Sequence, residues 1–509
     1  MTKLEKLTAQ GHGFAVYPEV RILKEPGGKA IQHLMFGDYI TPPKNSSGNG
    51  YLKWGKSKTK EVSGKIWIQV RSRQEEGWIQ INEIQLERIL EVNFIDVGQG
   101  DGCHLVTPSD EHYIIDAGKK DNMYRFLRWR FNLSSDGKQL PKFDAIISHP
   151  DEDHYKGFVP LLSEIPPTLK RKIKFDSVYY NGIIQRPGST IGEKKKIDGH
   201  DYLVEVIEDD AALRNQLDEA VTSDKISNFQ ELLLGAISTN PSISFSFLHA
   251  KPSRKKFLYE KGDFKIQVLA PVTETKEDKT VLRWFGSGTD IGKTKNGHSI
   301  VLLATIGKMR VLLGGDLNSP SADFLMEQYT GVNLAILRKK LKNATKAERK
   351  KIEKQIDSAV ENFRKNFKSD VAKSCHHGSH DITNEFLKGI HPIATIISSG
   401  DEESFCHPRP ETLGAIGRFS RGDRPLIYST ELARSSPEYI NIVKKDLKTD
   451  KVKQKIVSVY GMISLRTDGQ KAIIAQKLEK NRSTPGKGIT KWQFDKLVWD
   501  ETIKDFITD

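Results

Sequence analysis

Residues 148–157 read SHPDEDHYKG and directly follow the apolar segment FDAII. The apolar segment predicts a buried strand, and the polar residues after it predict a loop that can aim several side chains at one point. Within six residues this loop offers two nitrogen and two oxygen ligands, from His149, Asp151, Asp153 and His154. Such a set suits zinc first and manganese second, so the sequence predicts a metal site here.

The sequence around this loop alternates between predicted strands and predicted helices. From Leu90 onward, LEVNFIDV, CHLVTP and HYIIDAG predict strands, and DNMYRFLRWRF predicts a helix. Further strands are predicted at residues 264–271, 299–306 and 309–316, and SPSADFLMEQY then begins a helix. This alternation predicts an α/β layered domain over residues 89–478.

The two ends of the chain have a different character. Residues 1–88 contain several short strand-like runs separated by turn residues, which predicts a small all-β barrel. Residues 479–509 predict an appended C-terminal tail with a short helix near KWQFDKLVW. We therefore expect three consecutive segments, namely a barrel, an α/β domain and a tail.

Four more motifs accompany HPDEDH in the predicted α/β domain. They are DVGQGD at 96–101, LLGGD at 312–316, CHHGSHD at 375–381 and CHPRP at 406–410. In this order the five motifs resemble the signature of the metallo-β-lactamase superfamily, and most closely the hydrolase domain of ComEC-type DNA-uptake proteins. The resemblance spans about residues 90–470 and implies a four-layer αβ/βα sandwich with metal-dependent hydrolase activity.

A second resemblance concerns the predicted barrel. Residues 1–88 are similar to bacterial SH3-like domains, in which a Gly-Asp pair before a strand and a late Gly-Trp pair are typical. Here these pairs are Gly37-Asp38 and Gly77-Trp78. Because such domains usually bind rather than catalyse, the resemblance implies that this segment binds a protein or another ligand.

The first resemblance implies two divalent ions, Zn²⁺ first and Mn²⁺ second. Its motifs carry over seven ligands, namely His149, Asp151, Asp153, His154, Asp316, His376 and His407. His149 and Asp151 would hold one ion, and Asp153 and His154 the other. Asp316, at the end of an apolar strand, would bridge the two. A pair of ions about 3.5–4 Å apart can share a water and lower its pKa.

Two residues are expected to take part in catalysis. Asp153 orients the metal-bound hydroxide, while His377 contacts the substrate phosphate or protonates the leaving oxygen; alternatively, His377 only supports its loop. Ser379 either caps that loop or contacts phosphate. His298, in NGHS, resembles a third histidine motif of other superfamily members, and spacing leaves open whether His298 or His376 completes the first metal site.

The residues around the expected ligands have supporting roles in this interpretation. The turn at Gly98–Asp101 should pack beside the metals, where Asp101 and Asp116 can hydrogen-bond the ligating histidines. A purely structural turn is the alternative. Cys375 and Cys406 each precede an expected ligand, and we expect both to be small core residues.

The charge of the chain favours a polyanionic partner. The sequence has 79 Lys and Arg against 66 Asp and Glu, which gives a net charge of +13. Residues 334–370 form a basic insertion, free of Gly and Pro, that predicts helices. Its expected phosphate contacts are Lys339, Lys340, Arg349 and Lys350. Contacts of this kind make nucleic-acid binding strongly salt-dependent. A solvated helical face is the alternative.

The remaining sequence features restrict location and function. No apolar run is long enough to span a bilayer, the N-terminus lacks an apolar signal core, and there are only three cysteines. We therefore expect a cytoplasmic protein. Its expected function is a two-metal DNA nuclease. One alternative is hydrolysis of small or cell-wall phosphoesters, and another is a non-catalytic binding or regulatory protein that uses the SH3-like domain.

Overall fold

The structure is a computed structural model that describes residues 2–46, 50–73, 75–137, 139–288, 290–400, 405–433, 436–445, 452–459, 461–484 and 488–509. Helices and strands both occur along the chain, so the predicted mixture of α and β structure is confirmed. In the described residues, every helix is too short or too polar to traverse a lipid bilayer.

The strands up to residue 95 are β1 (Gly13–Ala15), β2 (Glu19–Leu23), β3 (Ala30–Met35), β4 (Tyr39–Ile40), β5 (Thr59–Val62), β6 (Lys65–Ser72), β7 (Glu75–Gln80), β8 (Ile84–Gln85) and β9 (Leu90–Ile95). The next are β10 (Gly102–Val106), β11 (His112–Ala117), β12 (Phe143–Ile146), β13 (Phe175–Tyr180), β14 (Lys194–Ile197), β15 (His200–Leu203), β16 (Ser244–Phe247), β17 (Lys256–Lys261), β18 (Phe264–Ala270), β19 (Glu274–Lys276) and β20 (Lys279–Arg283). The last are β21 (Val301–Ile306), β22 (Met309–Leu313), β23 (Val371–Lys373), β24 (Ala394–Ile397), β25 (Leu426–Ser429), β26 (Ser436–Lys445), β27 (Val452–Val459), β28 (Met462–Thr467), β29 (Lys471–Thr484), β30 (Gly488–Asp500) and β31 (Asp505–Thr508).

The helices are α1 (Lys3–Gln10), α2 (Asn122–Arg130), α3 (Glu152–Tyr155), α4 (Asp210–Thr222), α5 (Asn228–Thr239), α6 (Gly292–Gly297), α7 (Ser319–Thr330), α8 (Leu334–Leu341), α9 (Lys346–Phe367), α10 (Asn384–Ile390) and α11 (Pro410–Phe419). Two of them, α8 and α9, occupy the segment in which the sequence predicts a basic helical insertion. Helix α9 begins with a capping box between Thr345 and Glu348, and it buries Ile356, Phe363 and Phe367 along one side.

The chain folds into two compact units, each made of separate stretches. The terminal unit comprises Met1–Asn93, Val106–Glu111 and Ala433–Asp509, and the central unit comprises Phe94–Leu105 and His112–Leu432. The sequence predicts three consecutive segments instead, because motif spacing and composition carry no signal for strands that return to an earlier domain.

Antiparallel strands dominate the terminal unit. Its strands form one sheet in the order β4-β1-β8 and another in the order β3-β2-β7-β6-β5, while β28, β29, β30 and β31 pair one after another. Ile22, Ile68 and Ile79 pack with Trp54 in the core, and along β2 buried residues such as Ile22 alternate with more exposed ones. This alternation is the usual pattern of strands with one buried face.

The C-terminal residues differ from the predicted tail. The sequence KWQFDKLVW lies in strand β30, not in a helix, and β30 pairs with β29 on one side and β31 on the other. Arg21 Nη1 donates to the carbonyl of Ile489 (2.6 Å), and Lys491 N donates to His33 Nδ1 (3.1 Å). Pairing on both edges therefore outweighs the local helix propensity of this segment.

Two sheets of the central unit contain runs of parallel strands. In one, β16, β13, β12 and β11 lie side by side and run parallel. In the other, with the order β17-β18-β21-β22-β23-β24-β25, the strands β22 to β25 run parallel. Parallel neighbours end at the same edge of a sheet, so the loops that follow them are brought together. These loops contain most of the motifs.

Candidate metal centre

Three motif loops meet at the carboxyl ends of parallel strands in the central unit. The HPDEDH loop follows β12 and runs into the short helix α3, the loop with Asp316 follows β22, and a 3₁₀ turn with His376 and His377 follows β23. Asp116 lies near the end of β11. The parallel pairing of β11 with β12 and of β22 with β23 places these side chains at matching edges.

His154 lies at the middle of this cluster and is oriented by a buried aspartate. Its Nδ1 atom lies 2.8 Å from Asp116 Oδ2, and Asp116 also accepts from Ser148 N and Ser148 Oγ, at 2.7 Å each. The other nitrogen, Nε2, faces Asp316 Oδ2 at 3.2 Å. Hydrogen bonding at Nδ1 by a carboxylate is the arrangement that fixes Nε2 as a metal-ligating nitrogen.

His377 repeats this arrangement from the opposite loop. Its Nδ1 lies 3.2 Å from Asp101 Oδ1 and 3.1 Å from the Ser398 carbonyl, while its Nε2 lies 3.1 Å from Asp316 Oδ2. Asp316 Oδ2 is thus faced by the Nε2 atoms of two histidines that come from different strands. Asp101 and Asp116 occupy the supporting positions that the sequence suggests for them.

A third histidine and an aspartate complete the cluster. His149 directs Nδ1 at Ser148 Oγ (3.0 Å) and Ser299 Oγ (3.3 Å), which leaves Nε2 turned to the other side of its ring. Asp153 is the more accessible carboxylate: its Oδ1 lies 3.9 Å from His154 Nε2, and its Oδ2 accepts from Gln99 Nε2 at 3.3 Å.

The fit of these residues to a metal ion can be judged from their buried polar atoms. Within the described part of the chain, the buried polar atoms without a hydrogen-bond partner include His149 Nε2, His154 Nε2, His377 Nε2 and Asp316 Oδ1. Buried polar atoms normally have partners, and a cation supplies one to imidazole nitrogens and carboxylate oxygens alike. The donor set therefore fits a divalent ion.

Overlapping groups of three residues each bring one ligand atom per residue within 4.8 Å of the others. These groups are His149, His154 and Asp316; Asp153, His154 and His377; Asp101, Asp316 and His377; and Asp101, Asp116 and His154. Buried His and Asp groups here could thus hold a metal ion. His154 belongs to three of these groups, and Asp316, His377 and Asp101 belong to two each.

Electrostatics at the centre also favour a cation. Burial opposes charge on His154, but Asp316 and Asp116 outweigh it and raise the pKa of His154 well above its usual value. The pKa of His377 is raised in the same way, against burial, by Asp316 and Asp101. Burial disfavours the Asp316 carboxylate, yet His377 and His154 hold its pKa well below the usual range. The aspartates create a negative field that attracts positive charge.

Two buried lysines at the centre were missed by the sequence reasoning. Lys373 ends strand β23, forms an ion pair with Asp101 and donates to the Gly314 carbonyl at 2.8 Å. Lys295 lies in helix α6 and forms an ion pair with Asp151. A signal for Lys373 exists, since it is a charged residue at the end of an apolar strand directly before CHHGS. Lys295 has no comparable signal.

Three residues of the centre have a strained backbone conformation. Asp116, His376 and His377 have φ values of 55°, 49° and 52°, in the left-handed region that non-glycine residues rarely adopt. Each such residue costs on the order of 1–3 kcal/mol, and such costs cluster at functional sites. The side chains of Asp116 and His377 both form hydrogen bonds at the centre.

The glycine turn before β10 packs directly against the HPDEDH loop. Gly100 has φ +107°, and a Cβ atom on it would lie 1.7 Å from the Asp153 carbonyl oxygen. Asp101 N donates to the same oxygen at 3.3 Å. Only glycine allows this close approach, and it places the Asp101 side chain beside His377.

Three of the seven expected ligands lie outside the metal-binding groups. Asp151 is occupied by Lys295. His376 Nε2 is 4.0 Å from Asp316 Oδ2, and the His407 ring centroid lies 5.9 Å from that of His376, so both histidines border the centre. The resemblance assigns a ligand to the first histidine of HHGS, His376, whereas the groups that could hold an ion contain the second, His377.

His298 is placed away from these groups. Its Nε2 lies 2.7 Å from the Arg283 carbonyl, and its ring packs on Phe285 with a centroid distance of 4.8 Å. Burial lowers the pKa of His298 to about 4, so the ring is neutral at pH 7. Neither His298 nor His376, the two residues left open by spacing, belongs to a metal-binding group in the described chain.

The remaining predicted residues have simpler surroundings. Ser379 Oγ accepts from Asp381 N at 3.2 Å and so caps its turn. Cys375 is buried as expected, whereas Cys406 is exposed, so the prediction that it lies in the core is wrong. The expected phosphate contacts are exposed on α8 and α9: Lys339, Lys340, Arg349 and Lys350.

The chain matches no protein-family model, and a comparison with curated proteins finds no significant match. The resemblance to the metallo-β-lactamase superfamily therefore stays a prediction that rests on the five motifs.

Proposed function

We propose that the protein is a metal-dependent hydrolase of the metallo-β-lactamase type that cleaves phosphodiester bonds in DNA. One observation carries the proposal: the Nε2 atoms of His149, His154 and His377 are buried without hydrogen-bond partners around the Asp316 carboxylate. Imidazole and carboxylate ligands suit zinc first and manganese second. When bound, such an ion lowers the pKa of water and stabilises negative charge on a phosphate.

The residues of the centre have different roles in the proposed hydrolysis. His154 and His377 present Nε2 because Asp116 and Asp101 hold their Nδ1 atoms. Asp153 orients the attacking water, since its carboxylate is accessible at 21% relative exposure and lies 3.9 Å from His154 Nε2. His377 can instead protonate the leaving oxygen, which stays a prediction from the sequence.

DNA as the substrate is supported by charge. The chain carries a net charge of +13, and the exposed lysines and arginines of α8 and α9 offer phosphate contacts. The proposal includes a four-layer sandwich around the centre. It also includes an SH3-like binding role for the first 88 residues, whose strands form two sheets of the terminal unit.

The test compares Asp153→Ala with Asp263→Ala, a matched substitution of an exposed aspartate in the turn between β17 and β18. Metal content is measured first, and then cleavage of linear and circular DNA with Zn²⁺ or Mn²⁺. We expect Asp153→Ala to lower the cleavage rate on the order of 10²–10⁴-fold, as for loss of a group that handles a proton, while Asp263→Ala leaves it unchanged.

Other outcomes decide against parts of the proposal. If the protein binds metal but cleaves neither linear nor circular DNA, DNA is not its substrate. Hydrolysis of small or cell-wall phosphoesters would then be the proposed function. A protein that takes up no metal would lose the catalytic function altogether, which would favour a binding or regulatory role. Cleavage of the circular substrate would identify an endonuclease.

A further inference from the structure

Asp151 is the one aspartate of the HPDEDH loop whose two carboxylate oxygens are both used by protein donors. Lys295 Nζ pairs with Oδ1. The Asn296 side-chain amide, in the orientation that satisfies both of its ends, donates to Oδ2 at 2.8 Å and to the Gly292 carbonyl at 3.0 Å. Both donors come from helix α6, outside the five motifs. Asp151 therefore has little capacity left for a metal ion.

The ammonium of Lys295 is held in place by its surroundings. It donates to Gln185 Oε1 at 2.9 Å, and the side chain is only 10% exposed. Helix α6 is anchored on both sides: Asn318 Nδ2 donates to the Lys293 carbonyl at 2.8 Å, and Thr294 Oγ1 accepts from Phe285 N at 3.1 Å. The positive charge is therefore fixed beside the loop rather than drawn there from solvent.

The positive charge of Lys295 lies beside the pair His149 and Asp151, which the resemblance assigns to the first metal ion. His149 Nε2 is 3.4 Å from Asp151 Oδ2, so the pair has the spacing of two ligands that share a cation. Instead, the groups that could hold an ion combine His149 with His154 and Asp316 and leave Asp151 out. A divalent ion next to Asp151 would meet the ammonium at close range and be repelled.

We propose that Lys295 is a tethered cation that replaces one of the two metal ions, so that the centre holds a single divalent ion bound through His154 and Asp316. This inference rests on the proposed function and deepens it. Lys295 acts as a positioning residue: it neutralises Asp151 and keeps that carboxylate from competing for the ion. Lys295 is part of the protein itself, whereas binding of a second ion would depend on metal supply.

The test is metal stoichiometry, which needs no activity measurement. Wild type, Lys295→Met, Asp151→Asn and Lys293→Met are dialysed against Zn²⁺ or Mn²⁺ and desalted, and bound metal per chain is measured by plasma mass spectrometry. Lys293→Met is the matched control, because Lys293 is an exposed lysine of the same helix. We expect one ion per chain in wild type, Lys293→Met and Asp151→Asn, and two in Lys295→Met.

The outcomes separate this inference from the proposed function. Two ions per chain in wild type, or loss of the ion in Asp151→Asn, would overturn the role of Lys295 and leave the hydrolase standing. A single ion in folded Lys295→Met, checked by circular dichroism, would also overturn it. Wild type that binds no ion at all would refute the proposed function itself. Asp151→Asn keeps the inference testable if Lys295→Met does not fold.

Discussion

Each compact unit buries a group of charged residues, and the two groups are satisfied differently. In the terminal unit, Arg466 Nε donates to Ser464 Oγ at 3.0 Å and Nη2 pairs with Glu91 Oε1 at 3.2 Å. Asn93 then donates to Glu91 Oε1 at 2.7 Å and accepts from Ser464 Oγ at 2.8 Å. In the central unit, Asp316 faces histidine nitrogens that have no hydrogen-bond partner.

The difference indicates what each group is for. The network around Arg466 is closed, because each of its charged groups meets a protein group of opposite charge or a hydrogen-bond partner. Such a network stabilises the fold only as long as every member is present. The group around Asp316 is open on one side and is held in strained backbone, so its cost is offset when a ligand binds. We interpret the first group as structural and the second as functional.

The largest expected effect is on the open group. Asp316→Asn keeps the shape of the side chain but removes the charge that His154 and His377 face at 3.2 and 3.1 Å. We expect metal binding to fall below detection and DNA cleavage with it, because the variant loses the ligand shared by two of the groups. Plasma mass spectrometry and circular dichroism on the same preparation are the measurements.

A contrary outcome would remove the functional interpretation of the open group. If Asp316→Asn retains the metal content of wild type, the ion is held elsewhere and the unpartnered histidine nitrogens have another explanation. If Asp263→Asn, an exposed control, loses metal to the same degree, the loss is not specific to the centre.

The second expected effect is on the closed group. Arg466→Met removes a cation that pairs with the buried Glu91, and breaking a buried ion pair from one side costs about 3–5 kcal/mol. We expect the free energy of unfolding in urea to fall by that amount, while metal content stays at the wild-type value. Arg254→Met, at an exposed arginine, is the control and should change neither quantity.

The Arg466→Met variant also tests whether the network around Arg466 is purely structural. A loss of metal in Arg466→Met without a loss of stability would mean that the closed network serves the centre. An unchanged free energy of unfolding would mean that Glu91 is satisfied by other partners and that the network is not a structural unit.

The sequence predicts the centre better than it predicts the fold around it. His149, His154 and Asp316 are expected ligands from the motifs, and the structure brings them into one group that could hold an ion. His377 was identified as a catalytic residue rather than a ligand, because adjacent histidines in HHGS cannot be told apart by spacing. The structure separates them by the direction of their side chains, and His377 is the one that faces Asp316.

The sequence does not reveal which residues from distant segments contact each other. Lys295 reaches Asp151 across 144 positions of the chain, and its local sequence, KTKNG, resembles any polar loop. The prediction of a helix at strand β30 is wrong for the same reason, because the strand is formed by pairing with β29 and β31, which its local sequence does not reveal. Pairing between segments is decided by the tertiary fold, which local propensity does not encode.

The smallest expected effect concerns the hydrogen bond between Asp116 and His154 in the group around Asp316. Asp116 accepts from His154 Nδ1 at 2.8 Å, and Asp116→Asn can place an amide donor there instead. The donor would shift the imidazole proton to Nε2, the atom that has to bind the ion, although all ligands remain.

We expect Asp116→Asn to weaken metal affinity by about 10–100-fold, the usual effect of losing a partner that orients a ligating histidine. Titration with Zn²⁺ in competition with a chelator measures this directly, with Asp263→Asn as the exposed control. We expect a loss of affinity that is smaller than the complete loss expected for Asp316→Asn. Such a result would mean that the hydrogen bond at His154 Nδ1 prepares Nε2 for binding the ion. Unchanged affinity would mean that Asp116 only supports the fold. The centre itself would then contain structural as well as functional residues.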